Sequence, residues 1–419
     1  GSQNIIIKQG SGATVTIANG QTKAIYSDGA GSGGAMVDAF QDLSIPDLFI
    51  DDDLTVGDDL IVNGDIDLEG SIDVNGTANL DIVDIDVSLT VDGTVKLNGN
   101  FPTGTDNVAL GNAALSGGSL SGAGNIAIGD SVGSGITSGS NAVAIGRDAL
   151  LGVYTATDAI AIGRSALASL TSGNFNVAVG SLAGTALTTG SSNTAVGFEA
   201  LKTEDAHGRN TAMGYQALKT LNAGAEAVTT TIGYLAGTSL TTGVQNTLIG
   251  GLSGDALTDA DYNVAVGNNT LSADTKGNRS VAIGYEALAT QNFSTSTDTH
   301  NVAVGNVAGA AITTGIRNTL IGSGAGNALT DADLNVAVGR DALTSDTLGS
   351  QSVAIGTNAL ANQNYTTATN SLNTAVGHSA GSSVTTGIQN TLIGGQAGDA
   401  LTDADFNVAV GYQALTNDT

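Results

Sequence analysis

Short runs of alternating larger and smaller apolar residues recur along the last three quarters of the chain. In the run Asn176-Val177-Ala178-Val179-Gly180, Val177 and Val179 lie on one face of an extended segment and Ala178 lies on the other. β-Branched residues favour strands, and the closing glycine can adopt the positive φ of a turn without a Cβ penalty. Each run therefore predicts a short β-strand that ends in a turn.

The glycine of this run, here called the repeat glycine, recurs eighteen times at a nearly constant spacing. Most steps from one repeat glycine to the next are seventeen positions, and the exceptions are eighteen, nineteen and, twice, twenty-one. Such self-similarity is typical of a solenoid, in which equivalent coils stack on one another. We expect each coil to hold two short strands and two turns, and at about 4.8 Å per coil the rod would be about 86 Å long. The repeat glycines are Gly111, Gly129, Gly146, Gly163, Gly180, Gly197, Gly214, Gly233, Gly250, Gly267, Gly284, Gly305, Gly322, Gly339, Gly356, Gly377, Gly394 and Gly411.

Two kinds of coil differ in the residues that follow the repeat glycine. Three and four residues after it comes either Ala-Leu, as at Ala166-Leu167, or Ala-Gly, as at Ala183-Gly184. From Gly233 onward the two kinds alternate in pairs, which gives a longer period of four coils, for example from Gly233 to Gly305. Duplication of blocks of four coils is the simplest explanation of this longer period.

A different repeat, six residues long, lies between Leu54 and Asn100. Apolar residues fall at the first and third positions of each six, and Asn-Gly or Asp-Gly corners are frequent. One chain with this pattern has almost no interior, so we expect three chains to wind around a common axis. The sequence thus predicts an N-terminal β connecting module at 1–50, a hexad β shaft at 51–104 and a β-roll rod of eighteen coils at 105–419.

The first fifty residues contain no obvious repeat. The patterns at 5–8, 13–17 and 24–26 predict strands, and the glycines at 29–34 predict a flexible turn. Residues 35–40 fit either a short helix or a strand. We expect a small β module that leads into the shaft.

Each coil has little apolar surface to bury on its own. About 100 to 150 Å² per coil contributes roughly 3 kcal/mol, whereas ordering seventeen backbone residues costs on the order of 17 to 34 kcal/mol. We therefore expect the Ala-rich face of the coils to pack against identical neighbours about a threefold axis. A monomeric solenoid is the alternative.

Composition and charge exclude several classes of protein. The 419 residues include 60 Gly and no Cys, and 39 Asp and Glu against 12 Lys and Arg give a net charge of −27. A chain this acidic repels nucleic-acid phosphates and anionic lipids, so we expect no nucleic acid as a partner. No run approaches the about 20 apolar residues of a membrane helix, so we expect no membrane insertion. Residues 51–92 hold thirteen acidic residues and no Lys or Arg, for which a solvated surface is favoured and bound cations are the alternative.

Two segments match the Gly-x-Ser-x-Gly pattern of hydrolase nucleophile elbows, around Ser131 and Ser379. The first glycine of each match is a repeat glycine, and sister coils carry Asp148 or Leu182 at the serine position. The segment 29–34 lacks the Lys-Ser/Thr that a phosphate loop needs. The histidines fall at different places in their coils, which favours loop residues with no binding or catalytic role; they are His207, His300 and His378. We expect no catalytic residue, no metal site and no cofactor.

Two repeated patterns favour structure over binding. The Asp-Ala-Asp pairs that begin at Asp259, Asp331 and Asp403 could hold Ca²⁺, but the glycine-rich nonapeptide of calcium-binding β-rolls is missing, so turn capping is favoured. The two longest steps bring Phe293 and Tyr365 into polar loops. Duplication alone explains this recurrence, and carbohydrate contact is the alternative.

The repeated units resemble those of known fibrous proteins. The segments Asn141-Ala-Val-Ala-Ile-Gly146 and Ser280-Val-Ala-Ile-Gly284 are similar to the Asn-Ser-Val-Ala-Ile-Gly repeats of trimeric autotransporter adhesin heads. The hexads, together with residues 5–20 and the turn Tyr26-Ser27-Asp28-Gly29, resemble virion fibre proteins of marine, especially cyanobacterial, bacteriophages. The resemblance implies an all-β homotrimeric β-solenoid fibre, with a hexad triple-stranded β-helix shaft followed by left-handed parallel β-roll coils of about seventeen residues.

The phage-fibre resemblance also implies a function. In that family an N-terminal part docks on other virion proteins, a trimeric shaft projects, and a distal region meets a receptor on the host cell, for which a glycan is one class. We therefore expect a structural, non-enzymatic fibre of a phage virion that supports host attachment outside the cell, with its receptor-binding residues unknown. A bacterial trimeric surface adhesin is the alternative, and a polysaccharide-degrading tailspike, which needs a pair of carboxylates in a groove, is a third possibility. The sequence stops at Thr419 within a coil, which leaves open a tip or chaperone domain beyond it.

Overall fold

The structure of the protein is a computed structural model that describes residues 3–19, 23–27, 29, 31–38, 60–63, 66, 105–117 and 120–417. The chain divides into two compact units, Gly1–Thr90 and Val91–Thr419. Most of the predicted hexad shaft lies outside the described residues, so its β-helix stays a prediction. Over the described ranges, no helix has both the length and the apolar character needed to cross a bilayer.

The first unit contains two antiparallel hairpins and one turn of 3-10 helix at Gly31–Gly33. The amide of Met36 donates to the carbonyl oxygen of Ala13 at 3.2 Å, which joins the hairpins. The three strands predicted from the sequence are confirmed, and the segment 35–40 contributes a strand rather than a helix. The strands are β1 (Ile5–Lys8), which pairs with β2 (Thr14–Ile17), and β3 (Ile25–Ser27), which pairs with β4 (Met36–Asp38).

The second unit is a parallel β-solenoid with a three-residue strand in each of about eighteen coils. Each strand pairs in register with the equivalent residues of the next coil, so that Ala178 lies opposite Ala195 and Ala195 lies opposite Ala212. This confirms the solenoid and its coil length. The strands are β5 (Val108–Leu110), β6 (Ile126–Ile128), β7 (Val143–Ile145), β8 (Ile160–Ile162), β9 (Val177–Val179), β10 (Thr194–Val196), β11 (Thr211–Met213), β12 (Thr230–Ile232), β13 (Thr247–Ile249), β14 (Val264–Val266), β15 (Gly277–Asn278), β16 (Val281–Ile283), β17 (Thr297–Asp298), β18 (Val302–Val304), β19 (Thr319–Ile321), β20 (Val336–Val338), β21 (Gly349–Ser350), β22 (Val353–Ile355), β23 (Thr369–Asn370), β24 (Thr374–Val376), β25 (Thr391–Ile393) and β26 (Val408–Val410).

Within the described coils, a second pair of parallel strands forms only next to the two 21-residue steps between repeat glycines. There β15 pairs with β17 and β21 pairs with β23, each over two residues. The expectation of two strands in every coil is therefore wrong. The rest of a coil turns too often to extend, because left-handed residues interrupt it; after Gly180 these are Leu182 (φ 63°), Gly184 (φ 56°) and Ser192 (φ 61°).

The middle residue of each three-residue strand points into the coil, and the residues on either side of it point outward. Ala178 is 0 % exposed, whereas Val177 and Val179 are partly exposed. The Ala-rich face is thus buried within a single chain, and the expectation that it packs between chains is wrong. The face left for other molecules is the one that carries the larger aliphatic residues.

The two kinds of coil fill the interior in complementary ways. In an Ala-Leu coil the leucine itself is buried, as Leu167 is. In an Ala-Gly coil a residue three positions further on fills the same space, as Leu187 does after Gly184. A Cβ atom on Gly184 would lie 2.9 Å from Leu167 Cδ2 and 3.0 Å from Leu187 Cδ1. Glycine is therefore required where the neighbouring leucines already fill the core.

A ladder of asparagines runs through the interior, four residues before the repeat glycines. Asn193 is 1 % exposed, and its backbone N–H donates to Asn176 Oδ1 at 2.9 Å. Its Nδ2 donates to the carbonyl oxygen of His207 at 3.1 Å, and its Oδ1 accepts the N–H of Asn210 at 3.0 Å. Each buried amide thus bonds to the coils on both sides, which satisfies polar groups that water cannot reach.

The repeat glycine meets two constraints at once. At Gly197 the φ angle is 134°, which side chains rarely tolerate. A Cβ atom there would lie 2.2 Å from the carbonyl oxygen of Gly214, in the next coil. The backbone of successive coils is therefore too close for any other residue, which explains why this position never varies.

Candidate functional site

Two adjacent coils carry several side chains that the other coils do not repeat. Each coil is named here after its repeat glycine, and the two are the Gly197 coil (197–213) and the Gly214 coil (214–232). Residues that recur from coil to coil are set by stacking, so a side chain that occurs once is the better pointer to function. The Gly214 coil is also two residues longer than a regular coil.

His207 stands where the repeat allows only the smallest residues. Ten residues after the repeat glycine, the coils of regular length carry Gly or Ala, and the Gly197 coil alone carries a histidine. The preceding coil has Gly190 at this position, and the following coil has Gly224. The imidazole therefore has no counterpart directly above or below it.

A fully buried carboxylate lies against this imidazole. Glu204 is 0 % exposed, and its Oε1 accepts the backbone N–H of His207 at 3.0 Å and lies 3.3 Å from Nδ1 of the same residue. Its Oε2 accepts the N–H of Ala223 at 3.2 Å. The contact with Glu204 orients the imidazole, so that its other ring nitrogen points away from the carboxylate.

A cleft of about 240 Å³ opens beside His207. Arg209 Nη1 donates to Glu226 Oε2 at 2.5 Å, and both side chains are more than half exposed. Glu226 belongs to the longer Gly214 coil, so the extra length contributes one wall. Side chains from three successive coils line the cleft, and those with polar groups are Thr189, Ser191, Ser192, His207, Arg209 and Glu226.

The longer coil interrupts the asparagine ladder. Asn210 Nδ2 is buried and has no hydrogen-bond partner, whereas Asn193 Nδ2, one coil earlier, reaches the carbonyl oxygen of His207 in the next coil. Two extra residues in the Gly214 coil displace the carbonyl that Asn210 would meet. A buried donor left unpaired costs about 1 to 3 kcal/mol. The wall that carries Glu226 is therefore retained at a cost in stability.

An ion cluster on the same two coils holds Glu199. Its carboxylate accepts hydrogen bonds from Lys202 Nζ at 2.7 Å and from Gln216 Nε2 at 2.8 Å, and it lies 2.8 Å from Lys219 Nζ. The hydrogen bonds from Lys202 and then Lys219 lower the pKa of Glu199 to about 2. The cluster ties the outer surface of the Gly197 coil to that of the Gly214 coil.

Three stacked aromatic rings follow the repeat glycines of this region. The ring centroids of Phe198 and Tyr215 are 5.4 Å apart with planes at 18°, and those of Tyr215 and Tyr234 are 5.5 Å apart at 17°. The next coil carries Gly251 at the same position, so the stack ends there. All three residues are exposed, and the stack extends from the Gly197 coil through the Gly214 coil to the coil that follows them.

Three side chains of the Gly197 coil could in principle hold a metal ion. Glu204, Asp205 and His207 each offer a ligand atom within 4.8 Å of the others. Both oxygens of Glu204 already accept backbone N–H groups. A metal ion bound by this carboxylate would have to displace these hydrogen bonds.

The serines of the two Gly-x-Ser-x-Gly matches lie in repeated turns. Ser131 and Ser379 have φ angles of 56° and 53°, as Asp148 and Leu182 do at the same position with 58° and 63°. A nucleophile elbow needs a helix after the strand, and the described coils around both serines contain turns instead.

The Asp-Ala-Asp pairs cap turns, as expected. Asp261 Oδ1 accepts the N–H of Val244 at 2.7 Å, and Asp259 Oδ1 accepts the hydroxyl of Thr242 at 2.7 Å. Both acceptors therefore bond to the coil before their own. Asp331 and Asp333 repeat the arrangement four coils later.

The aromatic residues of the two longest steps are buried. Phe293 is 7 % exposed and Tyr365 is 4 % exposed, and Tyr365 Oη donates to the carbonyl oxygen of Gly387 at 2.7 Å. These rings fill the wider coils and are not available to stack on a carbohydrate. The alternative of carbohydrate contact is wrong for these two residues.

The histidines do not come together. His300 and His378 are exposed on distant coils, and His207 alone contacts a buried carboxylate. His300 and His378 are therefore exposed loop residues, whereas the contact of His207 with Glu204 was not predicted from the sequence. Alignment of the coils position by position would have found it, because His207 replaces Gly or Ala. No protein-family model, curated protein or solved structure matches this chain.

Proposed function

We propose that three copies of this chain assemble into a stiff extracellular fibre that projects from a phage virion and supports attachment to the host cell. The observation that carries the proposal is the outward face of the long ladder from β5 to β26. In every three-residue strand of this ladder the third residue is Val, Ile, Leu or Met, and the first is aliphatic or Thr. A solvated surface would carry charged residues, and this face has none.

The size of this face supports association. Three residues at about 3.3 Å each and seventeen steps of about 4.8 Å give an area of roughly 800 Å² per chain. In a threefold assembly each chain shares this face between two neighbours, and the three faces together remove roughly 2,400 Å² from solvent. Obligate assemblies bury about 2,000 Å² or more in total, so the faces are large enough to hold three chains together.

Its narrow width favours closure about an axis. Three such strips, each flanked by polar turns, can meet around a threefold axis with every aliphatic side chain in contact with a neighbour. Closed symmetry leaves no strip free for further growth. The net charge of −27 per chain keeps finished assemblies apart.

The role proposed is mechanical, and no catalytic step is assigned. Backbone hydrogen bonds between coils run along the rod, and the buried asparagine ladder ties each coil to the next. In a phage fibre the N-terminal unit would dock on other virion proteins. A bacterial trimeric surface adhesin would use the same rod and differ in what it is attached to.

Light scattering after size-exclusion chromatography tests the assembly. The expected mass is three times the 41.1 kDa of one chain. Ile321→Asp places three like charges on the axis and should yield monomers with unchanged β content by circular dichroism. Thr313→Asp, in an exposed turn of the same region, is the matched control and should stay trimeric. A monomeric wild-type protein would overturn the proposal.

Immunogold electron microscopy tests the location. Antibodies raised against the purified chain should label fibres on phage particles. If the antibodies labelled a bacterial envelope and no phage particles, the phage-fibre proposal would be wrong and the surface adhesin would be favoured.

A further inference from the structure

We infer that the cleft beside His207 binds one neutral pyranose ring of a cell-surface glycan. This inference rests on the proposed attachment function and names the ligand class for it. The cleft combines the singular histidine, the exposed pair of Arg209 and Glu226, and the hydroxyls of the Gly180 coil, and the buried Glu204 contacts the histidine from behind.

The cleft is a departure from the repeat at two independent points. A histidine replaces Gly or Ala in the Gly197 coil, and two residues are added to the Gly214 coil. The second change leaves Asn210 Nδ2 buried without a partner. Both changes contribute walls to the same cleft, through His207 and Glu226.

A cation is a poor ligand for this cleft. Both oxygens of Glu204, the buried carboxylate beside His207, already accept backbone N–H groups. A metal ion would have to displace these bonds from a buried carboxylate, which leaves their donors unpaired.

An anion is equally poorly matched. Arg209 is already neutralised by Glu226 at 2.5 Å. Asp205 lies beside His207 and adds a further negative charge, and the whole chain carries −27. A phosphate or carboxylate would meet a repulsive field.

A ligand whose groups both donate and accept fits what remains. The guanidinium of Arg209 offers donors, the carboxylate of Glu226 offers acceptors, and the hydroxyls of Thr189 and Ser192 offer both. The imidazole of His207 adds a further polar group. Sugar hydroxyls on adjacent ring carbons make this kind of paired contact. About 240 Å³ is below the about 300 Å³ where pockets for drug-sized ligands begin, so the cleft takes about one ring.

The open form of the cleft implies weak binding at each copy. A single ring held by a few exposed hydrogen bonds binds with a Kd in the millimolar range. Three parallel copies in one fibre raise the effective affinity for a repeating polysaccharide without any new contact. Weak individual sites are therefore compatible with attachment.

Saturation-transfer-difference NMR on the assembled full chain tests the inference. The probes are the methyl glycosides of glucose, galactose, mannose, N-acetylglucosamine, fucose and rhamnose. We expect at least one to receive saturation. His207→Gly installs the residue that most regular coils carry, so it preserves the fold, and it should weaken binding about tenfold.

The control is an arginine at the same position of another coil. Arg209 and Arg317 both lie five residues before a repeat glycine, and both are exposed. Arg209→Gln should weaken binding about tenfold, whereas Arg317→Gln should leave it unchanged.

Three results would overturn the inference. The first is no transfer to any of the six glycosides, and the second is equal transfer in wild type, His207→Gly and Arg209→Gln. The third is calorimetric binding of Zn²⁺ or inorganic phosphate at micromolar concentration that His207→Gly abolishes. Light scattering on the same samples reports the oligomeric state, so a failed fibre proposal is distinguishable from a failed glycan site.

Discussion

The Gly197 coil and the two coils that begin at Gly267 and Gly339 place a carboxylate at the same interior position but partner it differently. In the duplicated coils Asp274 Oδ2 accepts Gln291 Nε2 at 2.5 Å, and Asp346 repeats this contact four coils later. The equivalent of that glutamine in the coil after the Gly197 coil is Leu221, and Glu204 instead faces the imidazole of its own coil. The carboxylate thus contacts a buried glutamine in one region, and in the other it contacts a histidine that lines a surface cleft.

The backbone contacts of the three carboxylates are the same, which separates what stacking requires from what it does not. Asp274 Oδ1 accepts the N–H of Gly277 in its own coil and that of Phe293 in the next coil. Glu204 accepts the equivalent N–H groups of His207 and Ala223. Stacking therefore explains the carboxylate, and only the imidazole is left for function to explain.

The largest expected loss of stability comes from substituting the repeat glycines, which tests whether the Gly197 coil and the Gly339 coil stack equally tightly on their neighbours. Gly197→Ala and Gly339→Ala should each cost on the order of 4 kcal/mol, because φ is 134° and 141° and a Cβ would lie 2.2 Å and 2.5 Å from a carbonyl oxygen of the next coil. Hydrogen exchange of the amides in the altered coil measures the loss locally, since a long repeat array need not unfold in one step.

The control for these glycines lies in the longer coil. A Cβ on Gly224 would meet nothing within 4 Å, so Gly224→Ala should cost less than about 1 kcal/mol. A small loss at Gly197 together with a large one at Gly339 would mean that the singular coils are less tightly stacked than the duplicated ones.

The asparagine ladder should respond differently in the two regions. Asn335 Oδ1 accepts the N–H of Ser352 and its Nδ2 donates to the carbonyl oxygen of Gly349, both at 2.9 Å, so Asn335→Ala should cost about 2 to 3 kcal/mol. Asn210→Ala loses only the bond from the N–H of Thr229 and removes an unpaired donor, so it should cost about 1 kcal/mol or less. Denaturant titration followed by hydrogen exchange compares them, and equal losses would contradict the proposed break in the ladder.

The two regions should also differ in the sign of their pH dependence. Burial raises the pKa of Asp274 and of Asp346, so the folded state favours their protonated forms. Their contribution to stability is full below the unfolded carboxyl pKa and is lost as pH rises through the raised values. Glu199, whose pKa is lowered from 4.5 to about 2, contributes stability above 4.5 that is lost as pH falls toward 2.

Unfolding free energies of variants between pH 2 and pH 7 check these signs. Relative to wild type, the double variant of Asp274→Asn and Asp346→Asn should gain stability as pH rises, and Glu199→Gln should lose it. Parallel profiles for the two variants would contradict the difference between interior and surface carboxylates.

The smallest expected effect concerns the surface arginines. Arg209→Gln and Arg317→Gln should each change the free energy of unfolding by less than about 0.5 kcal/mol, because exposed ion pairs contribute little. Thermal unfolding measures both. If Arg209→Gln alone lowered the free energy of unfolding by more than about 1 kcal/mol, the ion pair with Glu226 would stabilise the fold and would not be a feature of an open cleft.

Period and turn chemistry were sufficient to predict the coils, because the repeat glycine and the alternating strand are local features. The inward direction of Ala178 was not predictable from alternation alone, since a period of two separates the faces without saying which is inside. The narrow coil accepts alanine between leucines supplied by its turns, and the larger valines are left outside. The same reasoning missed Asn193, whose amide can be buried only when equivalent amides stack above and below it.

The site was less predictable than the fold. An acidic residue such as Glu204 is expected at the surface, and only the three-dimensional coil reveals the backbone N–H groups that hold it inside. The cleft depends on a two-residue difference in coil length, which the spacing records but whose position in space it does not.

The in-register pairing of equivalent coils has a consequence for evolution. Each duplicated block adds four coils, so it lengthens the ladder by about 19 Å and returns every column of side chains to its starting place. Unequal recombination between such blocks can change reach in fixed increments without redesigning the cross-section. The length of the solenoid can thus change by whole blocks, whereas the coils around His207 lie before Gly233, outside the duplicated part, and keep their single copy.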